Sequence, residues 1–108
     1  MMKVDTRTLA SIINQCFDYS MDGRFSSDQQ TVFLADGKRL RGLLMNLLSA
    51  QFDEGTPAVV NANKQLADVN ATLSQSAAAL ANAAQVMSDV AALVGNLDKL
   101  LNVAESFL

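Results

Sequence analysis

Between Pro57 and Leu108 a large apolar residue recurs at every seventh position: Val59, Leu66, Leu73, Leu80, Met87, Val94, Leu101 and Leu108. Three residues further on stand Ala62, Val69, Ser76, Ala83, Val90, Leu97 and Ala104, all apolar except Ser76. A strict repeat of seven places ~3.5 residues in each turn, the signature of a left-handed coiled-coil seam. Large apolar residues fill only 17 of the 52 positions in this segment, so the unbroken row is not a by-product of a uniformly greasy stretch. One side of the seam is large and the other mostly Ala or Val, with Ala77, Ala84 and Ala91 alongside. Small residues let helix axes approach closely, which favours tight antiparallel packing. Charged flanking residues set register in parallel zippers, and here only Asp68 and Asp89 are charged between Gln65 and Leu97.

Thr56-Pro57 is a good helix start, because the missing N–H of proline does no harm at the first position. A continuous helix from there to the last residue would span ~78 Å. A compact chain of this length has a radius of gyration of only ~13 Å, so it cannot wrap such a helix. The expectation is a helix continuous from Ala58 to at least Val94, packed in a homo-oligomer. Its interface would comprise Val59, Leu66, Val69, Leu73, Leu80, Ala84, Met87, Val90, Val94, Leu97 and Leu101. The alternative is two or three shorter helices folded into one bundle. Gly95-Asn96 is the favoured break, since glycine can end one helix and asparagine cap the next; Ser74-Gln75-Ser76 is a second.

The N-terminal half is divided by Asp22-Gly23, Asp36-Gly37 and Glu54-Gly55-Thr56-Pro57. Leu9, Ile12, Ile13, Cys16, Phe17 and Met21 form the stripe of an amphipathic helix from about Thr6, capped by Asp5 or Thr6 and ended at Gly23. Ser27-Asp28-Gln29-Gln30 reads as a capping box, with Ser27 as the cap and Gln30 reaching back. It predicts a short helix from Asp28 to Ala35, ended by Gly37. A strand over Thr31–Ala35 with a hairpin at Asp36-Gly37 is the competing reading. Leu40, Leu43, Leu44, Leu47, Leu48 and Phe52 predict a third helix over Lys38–Phe52, its stripe meeting that of the first.

Composition removes several function classes. The chain has no histidine and one cysteine, which excludes histidine-based catalysis, a Cys/His metal site and an internal disulfide. Eight basic against eleven acidic residues, with no basic stripe, argue against sequence-independent nucleic-acid binding. No apolar run precedes the charges near the start, and polar residues interrupt the Ala77–Gly95 stretch, so neither a signal peptide nor a membrane span is expected. These features point to a cytoplasmic protein; secretion without a cleavable signal is the alternative.

Lys38, Arg39 and Arg41 place three of the eight basic groups in four residues. At the start of a helix they would join free N–H groups in an anion or lipid-headgroup site. The run Gly37-Lys38-Arg39-Leu40-Arg41, followed by Leu43-Leu44, resembles the basic diphosphate-holding motif of prenyl diphosphate synthases. That resemblance would imply an all-helical diphosphate-binding enzyme. It extends over about eight residues of a chain that lacks the aspartate-rich metal motif and is too short for the enzyme barrel, so the chain is not assigned to that family. A solvated helix surface is the plainer reading. Asp53-Glu54 reads as an exposed loop pair, and Cys16 as a core thiol.

The remaining surface of the last segment is polar but weakly charged, with Asn61, Asn63, Asn70, Asn82, Asn96 and Asn102 joined by Gln65, Gln75 and Gln85. In composition it is similar to bacterial secreted filament and translocator subunits and to chemoreceptor stalks. The fold expected is all-α, a single helical domain over residues 1–108: three short elements in 1–55 and a long coiled-coil-like helix over 57–108. The function expected is a non-enzymatic, self-associating scaffold or adaptor, needing no cofactor, that binds another protein through its helical surfaces. A secreted helical subunit and an anion- or lipid-binding module using Lys38, Arg39 and Arg41 are the alternatives.

Overall fold

Asp5 opens the first helix, α1 (Thr6–Ser20), by accepting the Thr8 N–H at 3.1 Å and the Thr8 hydroxyl at 2.7 Å. These bonds from Thr8 hold the Asp5 carboxyl below its usual pKa. In the computed structural model, which describes residues 3–50, Phe52 and residues 57–106 (the last four by backbone alone), four further helices follow. They are α2 (Ser27–Leu47), α3 (Pro57–Leu73), α4 (Ser76–Ala81) and α5 (Ala83–Ser106). Thr56, the pair Asp53-Glu54 and the row member Leu108 lie outside the described residues.

The chain is an all-α helical bundle, as its periodicity predicts. Helix α1 lies between α2 and α3, and α5 closes the ring against α2 and α3, leaving α2 and α3 at opposite corners. Side-chain bonds fix the directions. Asn63 accepts the Asp5 N–H, Asn70 accepts from Gln15, and the Tyr19 hydroxyl donates to the Leu73 carbonyl, so α1 and α3 run parallel. The Asn96 amide bonds Gln65 near the middle of both α3 and α5, which run antiparallel.

Several local expectations are corrected. The segments 28–35 and 38–52 are one helix, neither two helices nor a hairpin: α2 passes through Gly37 and ends at Leu47, with Phe52 buried beyond it. Gly37 is there for closeness, not for a turn. Its Cα faces the Phe17 ring, and an added Cβ would lie 3.0 Å from Phe17 Cε1. The capping box is one residue earlier, Ser26 with Gln29, because Gln30 is occupied in bonding the Asp22 carbonyl at 2.7 Å. Met21 caps α1, and Gly23 follows in the turn without adopting the left-handed conformation.

The continuous helix from Ala58 to Val94 does not form. The chain breaks at Ser74-Gln75 and again at Asn82, and continues unbroken through Gly95-Asn96. The first break contains neither glycine nor proline. The Tyr19 hydroxyl takes up the Leu73 carbonyl there, and Ser74 Oγ adds a second donor at 2.7 Å to Asn70 O, which already accepts the Ser74 N–H. At the second, Ala78 O accepts both the backbone N–H of Asn82 and its side-chain amide, the latter at 3.1 Å. Gly95 is exposed in the middle of α5, where a helix interior tolerates glycine at a cost of ~1 kcal/mol.

Breaking the helix folds the seven-residue row back on itself. Val59, Leu66 and Leu73 on α3 and Val90, Val94, Leu97 and Leu101 on α5 are all buried in one core. The antiparallel packing expected of a small-residue seam occurs within one chain, in a body of 43 × 20 × 19 Å. A cluster of Tyr19, Phe25 and Phe33, with ring centroids 5.1–5.5 Å apart, joins that core where α1 turns into α2.

Candidate functional site

Of the residues expected at an oligomer interface, Val59, Leu66, Val69, Leu73, Val90, Val94, Leu97 and Leu101 are buried inside the chain. Leu80 and Met87 are half-buried, and only Ala84 is exposed. The need for a second chain rested on a helix too long to enclose, and that need lapses once the helix is broken. Part of the amide-rich surface is likewise consumed internally. Asn63 ties down the chain before α1 through Lys3 O and Asp5 N, and Asn70 holds Ser11 and Gln15.

The basic group is also placed differently. Lys38, Arg39 and Arg41 lie in the interior of α2, where the backbone N–H groups are already bonded within the helix. The free amides that would make a phosphate cradle are absent at this point. All three side chains are exposed, and Arg41 leans over the Phe17 ring with its guanidinium carbon 5.6 Å from the centroid. The one ion pair among the described residues is elsewhere, between Arg24 and Asp22 at 2.7 Å.

What surrounds these cations was not anticipated. Among the described residues six large apolar side chains are exposed, and four of them are Val32, Leu34 and Met45 on α2 and Leu48 at its end. Leu48 was expected to join the α1 stripe but is 56% exposed. Helix α2 buries Phe33, Gly37, Leu40 and Leu47 and turns its opposite side to solvent. On that outer side Leu34, Met45 and Leu48 alternate with Lys38 and Arg41, and no acidic residue stands at any exposed position from 31 to 49. Asp36, half-buried on the inner flank, has its pKa raised by desolvation, with Arg39 opposing. A groove of about 240 Å³ between α2 and α5, lined by Arg39, Gly42, Asn46 and Asp98 among others, lies on the other flank of the helix. The signal in the sequence was the spacing of Leu34, Lys38, Arg41, Met45 and Leu48, hidden by the stronger stripe that fills the core.

Cys16 is fully buried, as expected, and burial pushes its thiol up to about 12. It is therefore neither a nucleophile nor a ready metal ligand at neutral pH. A second groove, about 480 Å³, lies between α3 and α5 and is lined by Ala58, Asn61, Gln65, Asn96 and Lys99 among others. Among the described residues it brings together no acid–base pair. Among the described residues no helix is long and apolar enough to cross a membrane.

The fold and surface define a small helical bundle with one mixed basic and apolar helix face. Comparison with known protein families, curated proteins and solved structures finds no match to this chain.

Proposed function

We propose that the chain is a non-enzymatic helical adaptor that binds another protein through the outer face of α2. The observation that carries this reading is the gathering of Leu34, Met45 and Leu48 along one side of α2 and at its end, with the exposed cations Lys38 and Arg41 between them. Clustered exposed apolar groups rimmed by charge mark interaction surfaces more often than they mark neutral surface. Complete burial of a fully exposed side chain of this kind gains ~1.5–3 kcal/mol, so Met45 and Leu48, more than half exposed, have most to gain from a covering partner and Leu34 less. The non-enzymatic part is supported by the absence of histidine and by the high pKa of the only thiol. Self-association through the heptad row would require the core to open, so it takes second place to binding through α2.

The test is a photoreactive benzoylphenylalanine at position 45, compared with one at Ala91, an exposed site on α5. Illumination of cells producing each variant is expected to give a discrete heavier adduct from position 45 and none from position 91. No adduct from either site, or the same adducts from both, would contradict the reading.

A further inference from the structure

The inference here rests on the adaptor reading and specifies its ligand. Leu34, Lys38, Arg41, Met45 and Leu48 follow one another at steps of four, three, four and three along the exposed side of α2. That is a period of ~3.5, which keeps a row in line with a second helix crossing at about 20°. Beside it, also at intervals of seven, stand Ala35, Gly42 and Ser49, and nothing lies within 4 Å of where a Gly42 Cβ would be. The face is thus free of bulky obstruction, with apolar groups at both ends and cations between them.

We propose that this face receives an acidic amphipathic helix of another protein. The partner's apolar stripe covers Leu34, Met45 and Leu48, and its carboxylates meet Lys38 and Arg41. Charge complementarity selects this occupant. The chain carries a net charge of −3, yet beyond the first turn of α2, which holds Asp28, the exposed positions from 31 to 49 carry only positive charge. A second copy of α2 laid antiparallel would bring Arg41, the midpoint of the row, onto its own counterpart, and like charges in contact oppose pairing. An anionic bilayer would attract three cations but be repelled by the acidic remainder of the chain, and it has no use for a 3.5-residue period.

Three probes separate these cases: a three-heptad peptide with Leu at the core positions and Glu at the flanking ones, its twin with Lys for Glu, and vesicles of phosphatidylserine in phosphatidylcholine. Each is titrated into the isotope-labelled protein and followed by amide chemical shifts. The Glu peptide is expected to shift residues 31–49, to bind about tenfold or more tighter than the twin, and to weaken with added salt. Lys38→Glu with Arg41→Glu reverses the charge of the row and is expected to reverse the preference. Met45→Ala with Leu48→Ala is expected to weaken the Glu peptide about tenfold while the circular dichroism spectrum is unchanged. Equal or tighter binding of the twin to the unaltered protein, or shifts in α2 from vesicles but not from the Glu peptide, would overturn the proposal. A persistent cross-link from position 45 would then preserve the adaptor reading without an acidic helix; its loss would remove both.

Discussion

The ring of Phe17 rests on the backbone of Gly37, so close that a methyl group at position 37 would sit 3.0 Å from Cε1 and 3.3 Å from Cζ. This contact sets how near α1 and α2 approach. Two effects compete when Gly37 becomes alanine: helix propensity favours the change by ~1 kcal/mol, and overpacking opposes it by ~1–3 kcal/mol. Nothing surrounds a Cβ at Gly42 or Gly95, so only the favourable effect operates there. Thermal melts should show Gly42→Ala and Gly95→Ala stabilised by ~0.5–1 kcal/mol, and Gly37→Ala unchanged or destabilised. A Gly37→Ala protein as stabilised as the other two would show that the ring is not seated there.

Tyr19 links the first helix to the end of the third. Its buried hydroxyl donates to the Leu73 carbonyl, the last of α3. Tyr19→Phe keeps the ring in its aromatic cluster but leaves that carbonyl unpaired. A loss of ~1–3 kcal/mol in denaturant titrations is expected, with faster hydrogen exchange around Ser74-Gln75. An unchanged midpoint would mean that the break does not depend on this bond.

The heptad row can be tested at two of its proposed interface positions. Leu66 is fully buried and Ala84 is exposed. Leu66→Ala should cost ~2–5 kcal/mol, with a melting temperature independent of protein concentration. Ala84→Asp, in the first turn of α5, should change stability by no more than ~0.5 kcal/mol. A severe Ala84→Asp defect, or melting that tracks concentration, would restore an intermolecular seam.

Two carboxylates give opposite pH responses. The hydrogen-bonded Arg24 side chain lowers Asp22 to about 2. Its folded pKa lies below the unfolded value near 3.8, so the stabilisation is present above that value and is lost as pH falls toward about 2. Asp36 is raised by desolvation, so its contribution runs the other way: stability falls as pH rises from the unfolded value through the folded one. Asp36→Asn should therefore raise the melting temperature at neutral pH, with the gain vanishing in acid. A variant less stable than the parent at neutral pH would show that the carboxylate makes a bond worth more than its desolvation.

Much of the bundle was legible from residue spacing alone: the α1 stripe with Asp5 before it, the start at Pro57, and the apolar row after it. These depend on local chemistry and on periods that a linear chain displays. Gly37 misled because its reason lies across the bundle, in a phenylalanine twenty positions earlier. The break at Ser74-Gln75-Ser76 was legible as a second candidate but ranked behind Gly95-Asn96, since it has no glycine or proline and relies on Tyr19 to complete the helix end. At Gly95 the local signal was present, but the surrounding Leu93, Val94 and Leu97 are held in the core and the helix runs on. The basic cluster was visible, whereas its apolar neighbours were not assigned to solvent, because exposure is settled only when the opposite side of α2 finds its partners.

Small-angle scattering with molar mass from light scattering addresses the central claim, that the seven-residue row closes on itself within one chain. The structure predicts a particle of 11.5 kDa with a radius of gyration near 14.0 Å and a longest dimension near 43 Å. A particle of at least twice that mass, extended to the ~78 Å of an unbroken helix, would contradict it.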